Sequence, residues 1–237
     1  MRYNRNEIYG RILKNIEIDR DEFNCDYVDE RDFSGFLPDD CAYTYGASKF
    51  VIIPKHRDYV IKIPFSVQTD REDNGYWEGD DYIEDYGPFI PFSGAVYPIE
   101  GTTGWDYCRA EAEYYKLASA AGLGQFFAKT KFIGKMRGFP IYVQEKCEMY
   151  KDVCLHHTIA EREDTLKRAS SLTNSCMALH LSYDFLIELM KNVDLHKIDE
   201  LFNFIEKYNI TDLRSYNYGF RIKDHSPVFT DYSSYDD

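Results

Sequence analysis

Several common signatures are missing from this 237-residue chain, and each absence removes a class of function. No run approaches the roughly 20 apolar residues of a membrane-spanning helix. The opening Met1-Arg2-Tyr3-Asn4-Arg5-Asn6-Glu7 lacks the apolar core of a signal peptide, so none is expected. Cysteine is sparse and scattered, at Cys25, Cys41, Cys108, Cys147, Cys154 and Cys176, without the spacing of a disulfide scaffold. Free thiols in a reducing cytoplasm are the expectation. Positive charge is short: 28 Lys and Arg face 41 Asp and Glu, a net charge of −13. Nucleic acid and anionic membranes repel such a surface, so non-specific binding to either is excluded, although a local basic pocket for a nucleotide is not. No G-x-S-x-G elbow anchors a Ser/His/Asp hydrolase reading. Cys147, Cys154, His156 and His157 do not have the short Cys-x2–4-Cys step of a structural zinc site, so these thiols are expected to pack as small hydrophobes.

What is present fits an ordered protein. The hydrophobic share is 44% and the aromatic share 16%, with 21 Tyr, enough for one large domain or two small lobes. The most informative stretch is the tail. Ile210-Thr211-Asp212-Leu213-Arg214-Ser215-Tyr216-Asn217 reads D-L-x-x-x-N, then comes a hairpin, then Asp231 at the end of the apolar run Val228-Phe229-Thr230. Oxygen ligands of this kind suit Mg2+, which takes one or two carboxylates together with phosphate oxygens. The plainer reading is a turn, since Asp and Asn cap loops by bonding their own backbone.

Upstream, Ile8, Ile12, Leu13 and Ile16 predict an amphipathic helix over residues 3–18. Residues 41–65 alternate aromatic and β-branched runs around Pro54-Lys55-His56-Arg57-Asp58 and predict a hairpin, three strands with the first run. Lys62 lies inside the apolar run Tyr59–Pro64. It needs a partner there, unless it snorkels from a sheet edge. Residues 66–104 form a long acidic and aromatic insertion, read first as a solvated loop whose aromatics tuck onto the nearest lobe, and otherwise as an acidic face that offers a surface to a basic protein partner. Residues 105–121 are strongly helix-forming, and Glu111 shares an apolar stripe with Cys108, Tyr115 and Ala118. Residues 126–134 and 139–144 predict another hairpin. Leu166–Leu179, Tyr183–Lys191 and Ile198–Tyr208 predict helices.

In order and spacing, residues 41–233 resemble the protein-kinase-like fold, also seen in aminoglycoside-type small-molecule kinases. Gly46-Ala47-Ser48-Lys49 looks like a reduced glycine-rich loop, and Val60-Ile61-Lys62 like the V-A-I-K strand. Glu111 looks like the C-helix glutamate that pairs with that lysine. Gln144-Glu145-Lys146-Cys147 falls at the adenine-binding hinge. Asp212 and Asn217 resemble the catalytic Asp and the metal-binding Asn, and Asp231-Tyr232-Ser233 takes the place of D-F-G.

The resemblance implies an α+β, bilobal fold. A small antiparallel sheet with a C-helix would be followed by a reduced, mainly helical lobe ending in a β-hairpin. The implied domains are 1–40, 41–146 and 147–237. It implies ATP and Mg2+ as cofactors, with Asp212, Lys62 and Glu111 catalytic. Gly46, Ser48, Lys62, Gln144, Glu145 and Cys147 would hold the nucleotide, and Asn217 and Asp231 the metal. The chain departs from the pattern in having one clear loop glycine, Ile210-Thr211 for His-Arg, and Ser233 for the last glycine. It also ends at Asp237, so no activation segment is expected. Two functions follow: a phosphotransferase, or a pseudokinase that acts by binding through its acidic surface and insertion.

Overall fold

The computed structural model describes residues 2–12, 38–45, 49–67, 75–78, 81–84, 89–91, 107–136, 139–191 and 193–232. The fold is α+β, with five α-helices and a small antiparallel sheet among the described residues. It divides into two compact units. One comprises Met1–Arg109 and Lys131–Glu145; the other comprises Ala110–Thr130 and Lys146–Asp237.

The first unit is built on the sheet. Strands β1 (Cys41–Tyr45), β2 (Lys49–Pro54), β3 (Tyr59–Val67), β7 (Thr130–Met136) and β8 (Phe139–Glu145) lie in the order β1-β2-β3-β8-β7. Their β-branched and aromatic residues suit a pleated surface with one buried face. Ile52, Ile61, Ile63, Ile133, Ile141 and Val143 form that face, together with Ile8 and Ile12 from the N-terminus. The predicted helix over 3–18 is realised as a short α1 (Arg5–Glu7) running into a π-turn (Ile8–Ile12). Asn4 caps it by accepting from the amides of Asn6 and Glu7. Residues 13–18 lie outside the described residues.

The stretch 66–104 is not one loop. Strand β3 continues to Val67 and pairs with β6 (Phe89–Pro91), while β4 (Gly75–Glu78) and β5 (Asp81–Glu84) form a hairpin of their own. The dense charges hid short strands, Gly75-Tyr76-Trp77-Glu78 and Asp81-Tyr82-Ile83-Glu84, paired in the register Tyr76 opposite Ile83 and Trp77 opposite Tyr82.

The second unit is mainly helical. It holds most of α2 (Tyr107–Ala120), α3 (Ile159–Ala169), α4 (Tyr183–Lys191), α5 (Leu195–Lys207), and a sheet ordered β11-β10-β9. Those strands are β9 (Cys147–Met149), β10 (Tyr218–Arg221) and β11 (Pro227–Phe229). The helical spacing of Phe185, Leu186, Leu189 and Met190 in α4, and of Ile198, Leu201, Phe202 and Ile205 in α5, builds its core. Helix α3 starts and stops earlier than the predicted Leu166–Leu179. Thr158 and Glu161 close a capping box at its start. After Ala169 the polar run Ser170–Asn174 turns, and a 3-10 helix follows at Ser175–His180. Strand β10 packs tightly on β9: a Cβ on Gly219 would meet the Glu148 carbonyl oxygen at 2.2 Å, so only glycine fits there.

Candidate functional site

The D-L-x-x-x-N segment follows α5. Asn209, with φ of 50°, reverses the chain there, a conformation Asn tolerates better than most residues. Ile210 and Leu213 then bury themselves in the helical core on either side of Asp212. Two apolar anchors thus fix a polar residue that is itself only 6% exposed.

Asn217 ties the segment together. Its Nδ2 donates to the Asp212 carbonyl at 3.0 Å. Its own carbonyl accepts from the amides of Thr230 at 2.8 Å and Asp231 at 3.1 Å. Asp212, Asn217 and Asp231 are therefore joined by one residue's backbone and side chain. The Asn217 side-chain amide makes the local bond that the turn reading expected, while its backbone carbonyl joins the loop to the end of β11. Asp212 and Asn217 are buried and Asp231 is half-buried. The Arg214 guanidinium sits beside Asp212, with Nε 3.4 Å from Oδ1, and its Nη1 donates to the Tyr216 hydroxyl at 3.2 Å.

The residue after Asp231 has no role in the sequence pattern, yet it is fully buried. The Tyr232 hydroxyl donates to the Ala128 carbonyl at 2.6 Å and lies 2.9 Å from Thr130 Oγ1. Its ring meets Phe127 edge-on, with centroids 5.0 Å apart. Burial, and then the nearby Glu111 carboxylate, push its phenol well above the ordinary value, so it stays neutral. No local pattern pairs Tyr232 with a threonine so far back in the chain.

The other predicted site residues fall as follows. Lys62 is buried on β3, opposite Val51 of β2 and Tyr142 of β8. Strand β3 has a neighbour on each side, so Lys62 does not snorkel from a sheet edge. Gln144 is buried on β8 opposite Val60, and Glu145, opposite Tyr59, is half-buried. Cys147 belongs to the other unit, on β9 opposite Arg221. Glu111 is fully buried on α2, between buried Cys108 and Ala118 and half-buried Tyr115, as its stripe predicted. Gly46 and Ser48 lie outside the described residues.

The cysteine expectation needs correction. Of the two thiols expected to pack as small hydrophobes, Cys147 is half-buried on β9 and Cys154 is exposed on a surface loop. Cys154 Sγ lies 3.4 Å from His156 Nε2. Sequence reasoning also missed the surroundings of His157, whose side chain is 3% exposed: Nδ1 is 3.2 Å from Asp184 and Nε2 is 2.7 Å from Glu188. A cavity of about 370 Å3 lies beside this cluster, lined by Arg162, Leu181, Ser182, Tyr183 and Asp184. It contains none of the predicted site residues.

Among the described residues, no three His, Cys, Asp or Glu side chains converge to hold a metal. No described helix is long and apolar enough to cross a membrane. No protein-family model, curated protein or solved structure matches the chain.

Proposed function

We propose that this chain is an ATP- and Mg2+-dependent phosphotransferase of the protein-kinase-like fold. The observation that carries the reading is Asn217, whose side-chain amide and backbone carbonyl bond to the backbones of Asp212 and Asp231. The donor set fits the cation: Asn217 and Asp231 offer hard oxygen ligands, and Mg2+ is ordinarily completed by phosphate and water rather than by a protein cage. The missing third acidic ligand is therefore compatible with this metal.

Bound Mg2+ and ATP supply the transferable phosphoryl group and neutralise its charge. Asn217 and Asp231 hold the metal. Asp212 orients the acceptor hydroxyl and takes its proton. Lys62 binds the α- and β-phosphates, and Glu111 is the carboxylate assigned to that lysine. Gln144, Glu145 and Cys147 take the adenine.

A thermal-shift titration with ATP and Mg2+ tests the reading. Nucleotide at about 100 times its dissociation constant should stabilise the fold by about 2.7 kcal/mol. Asp231→Ala and Lys62→Ala should each shrink that shift. A wild-type protein that does not respond to millimolar nucleotide would instead favour the binding-protein reading.

A further inference from the structure

Asp231 is held from two sides, and only one of them belongs to the D-L-x-x-x-N pattern. On one side its amide donates to the Asn217 carbonyl. On the other the chain enters a fully buried tyrosine. The Tyr232 hydroxyl donates to Ala128, and the Thr130 hydroxyl stands within hydrogen-bonding distance of both Tyr232 and the Ala128 carbonyl, at 2.9 and 3.1 Å. The acceptor segment is itself fixed. The Ala128 amide donates to the Phe229 carbonyl at 2.8 Å, and Phe127 bridges Phe229 in parallel. The Arg221 guanidinium holds the same segment through Nη2 and the Phe127 carbonyl, at 2.9 Å. Residues 127–130 thus form a rail along β11, and the tyrosine is pinned to the rail by its only polar atom.

We propose that Tyr232 and Thr130 are positioning residues that lock the Asp231 carboxylate in its metal-binding place. The inference rests on the metal reading of Asp231 given above. Swinging Tyr232 out of its pocket would break two buried hydrogen bonds at once, one to the Ala128 carbonyl and one shared with the Thr130 hydroxyl, and this opposes movement of the tyrosine and of the aspartate before it. A phenylalanine in the same place would fill the pocket with its ring alone and would loosen the hold on the chain that carries the aspartate. The two hydroxyls act on the metal only through Asp231, as groups behind a ligand act on the ligand's direction.

The test is binding of Mn2+ to the full chain in the presence of a non-hydrolysable ATP analogue, followed by electron paramagnetic resonance. Affinity of the metal-free analogue, circular dichroism and thermal midpoint are measured alongside. Tyr232→Phe is expected to weaken Mn2+ binding by about tenfold or more, the range for groups that orient a ligand. Metal-free analogue binding should be unchanged, a separation that a general loss of structure would not produce. Thr130→Val should weaken Mn2+ in the same direction, and Thr130→Ser should restore it. If Tyr232→Phe fails to fold, the threonine pair carries the test. Wild-type Mn2+ affinity in both Tyr232→Phe and Thr130→Val overturns the lock while leaving the metal site in place. Wild-type Mn2+ affinity in Asp231→Ala, or no Mn2+ binding by the wild type, overturns the metal site and the lock with it.

Discussion

Two tyrosines, one in each unit, are fully buried and have opposite hydrogen-bonding fates. Tyr59 lies on β3 in the core of the sheet unit, edge-on to Tyr3. Tyr232 lies beyond β11 in the helical unit, edge-on to Phe127. Burial raises the pKa of both phenols. Yet the Tyr59 hydroxyl has no hydrogen-bond partner among the described residues, while the Tyr232 hydroxyl has two. Burial alone therefore says little about a polar group's task. A hydroxyl without a partner adds a desolvation cost to an otherwise useful ring, whereas one with two partners fixes a direction.

The surroundings follow the same division. Near Tyr59 the charges lie at the rim: Glu7 pairs with Arg57 and Arg11, and Arg11 with Asp40 at 2.8 Å. Such exposed pairs contribute little each. Near Tyr232 the polar contacts are buried backbone and side-chain bonds to Ala128 and Thr130, next to the Asp231 amide that Asn217 holds. Here the structure commits its polar groups to geometry.

The strongest way to break this comparison is to remove the ring against which Tyr232 leans. Phe127 also packs on Phe204 and Phe229, with centroids 5.7 and 5.6 Å away. Phe127→Ala should cost about 3–5 kcal/mol in urea unfolding, the usual range for a buried phenylalanine. Tyr232→Phe is gentler and should cost about 0.5–1.5 kcal/mol, because the Ala128 carbonyl and the Thr130 hydroxyl each lose one partner and keep each other. Equal stability of wild type and Tyr232→Phe would show that the two hydrogen bonds do not matter to the fold.

An alkaline titration sharpens the comparison further. Both phenols have raised pKa values in the folded state, so their contribution is complete below about pH 10, where each is protonated folded or unfolded. As pH rises above that, the unfolded chain releases the protons and the folded chain does not, so stability falls through the folded-state values. Tyr232→Phe should flatten this fall more than Tyr59→Phe does, as read from thermal midpoints across the alkaline range. The smallest effect is expected from Tyr59→Phe at neutral pH. It should change stability by less than about 0.5 kcal/mol, or raise it slightly, since it removes a hydroxyl that makes no bond. A loss of more than 1 kcal/mol would reveal a partner for that hydroxyl.

Much of the architecture was readable from local pattern. The aromatic and β-branched runs at Phe50–Ile53 and Tyr59–Ile63 gave β2 and β3, and the spacing in Tyr183–Lys191 matched α4 to the residue. Glu111 was placed on the buried stripe of α2 by counting threes and fours. Two kinds of feature were misread. The strands within 66–104 were masked by acidic residues that alternate with aromatics. The start of α3 was set by the capping box at Thr158 and Glu161, whereas its apolar spacing pointed further along the chain.

For the candidate site, the order of Lys62, Glu111, Asp212, Asn217 and Asp231 was visible, because each stands in a short segment with its own local signal. The sequence by itself determined the residue types, the turn that brings Asn217 back to Asp212, and the apolar anchors Ile210 and Leu213 that fix this loop. Only the tertiary structure decided that Asn217 also joins Asp231, and that Tyr232 is pinned to Ala128 and Thr130. The Tyr232 bonds link residues about a hundred positions apart. A hydroxyl's partner at that distance is chosen by packing, which no local periodicity records.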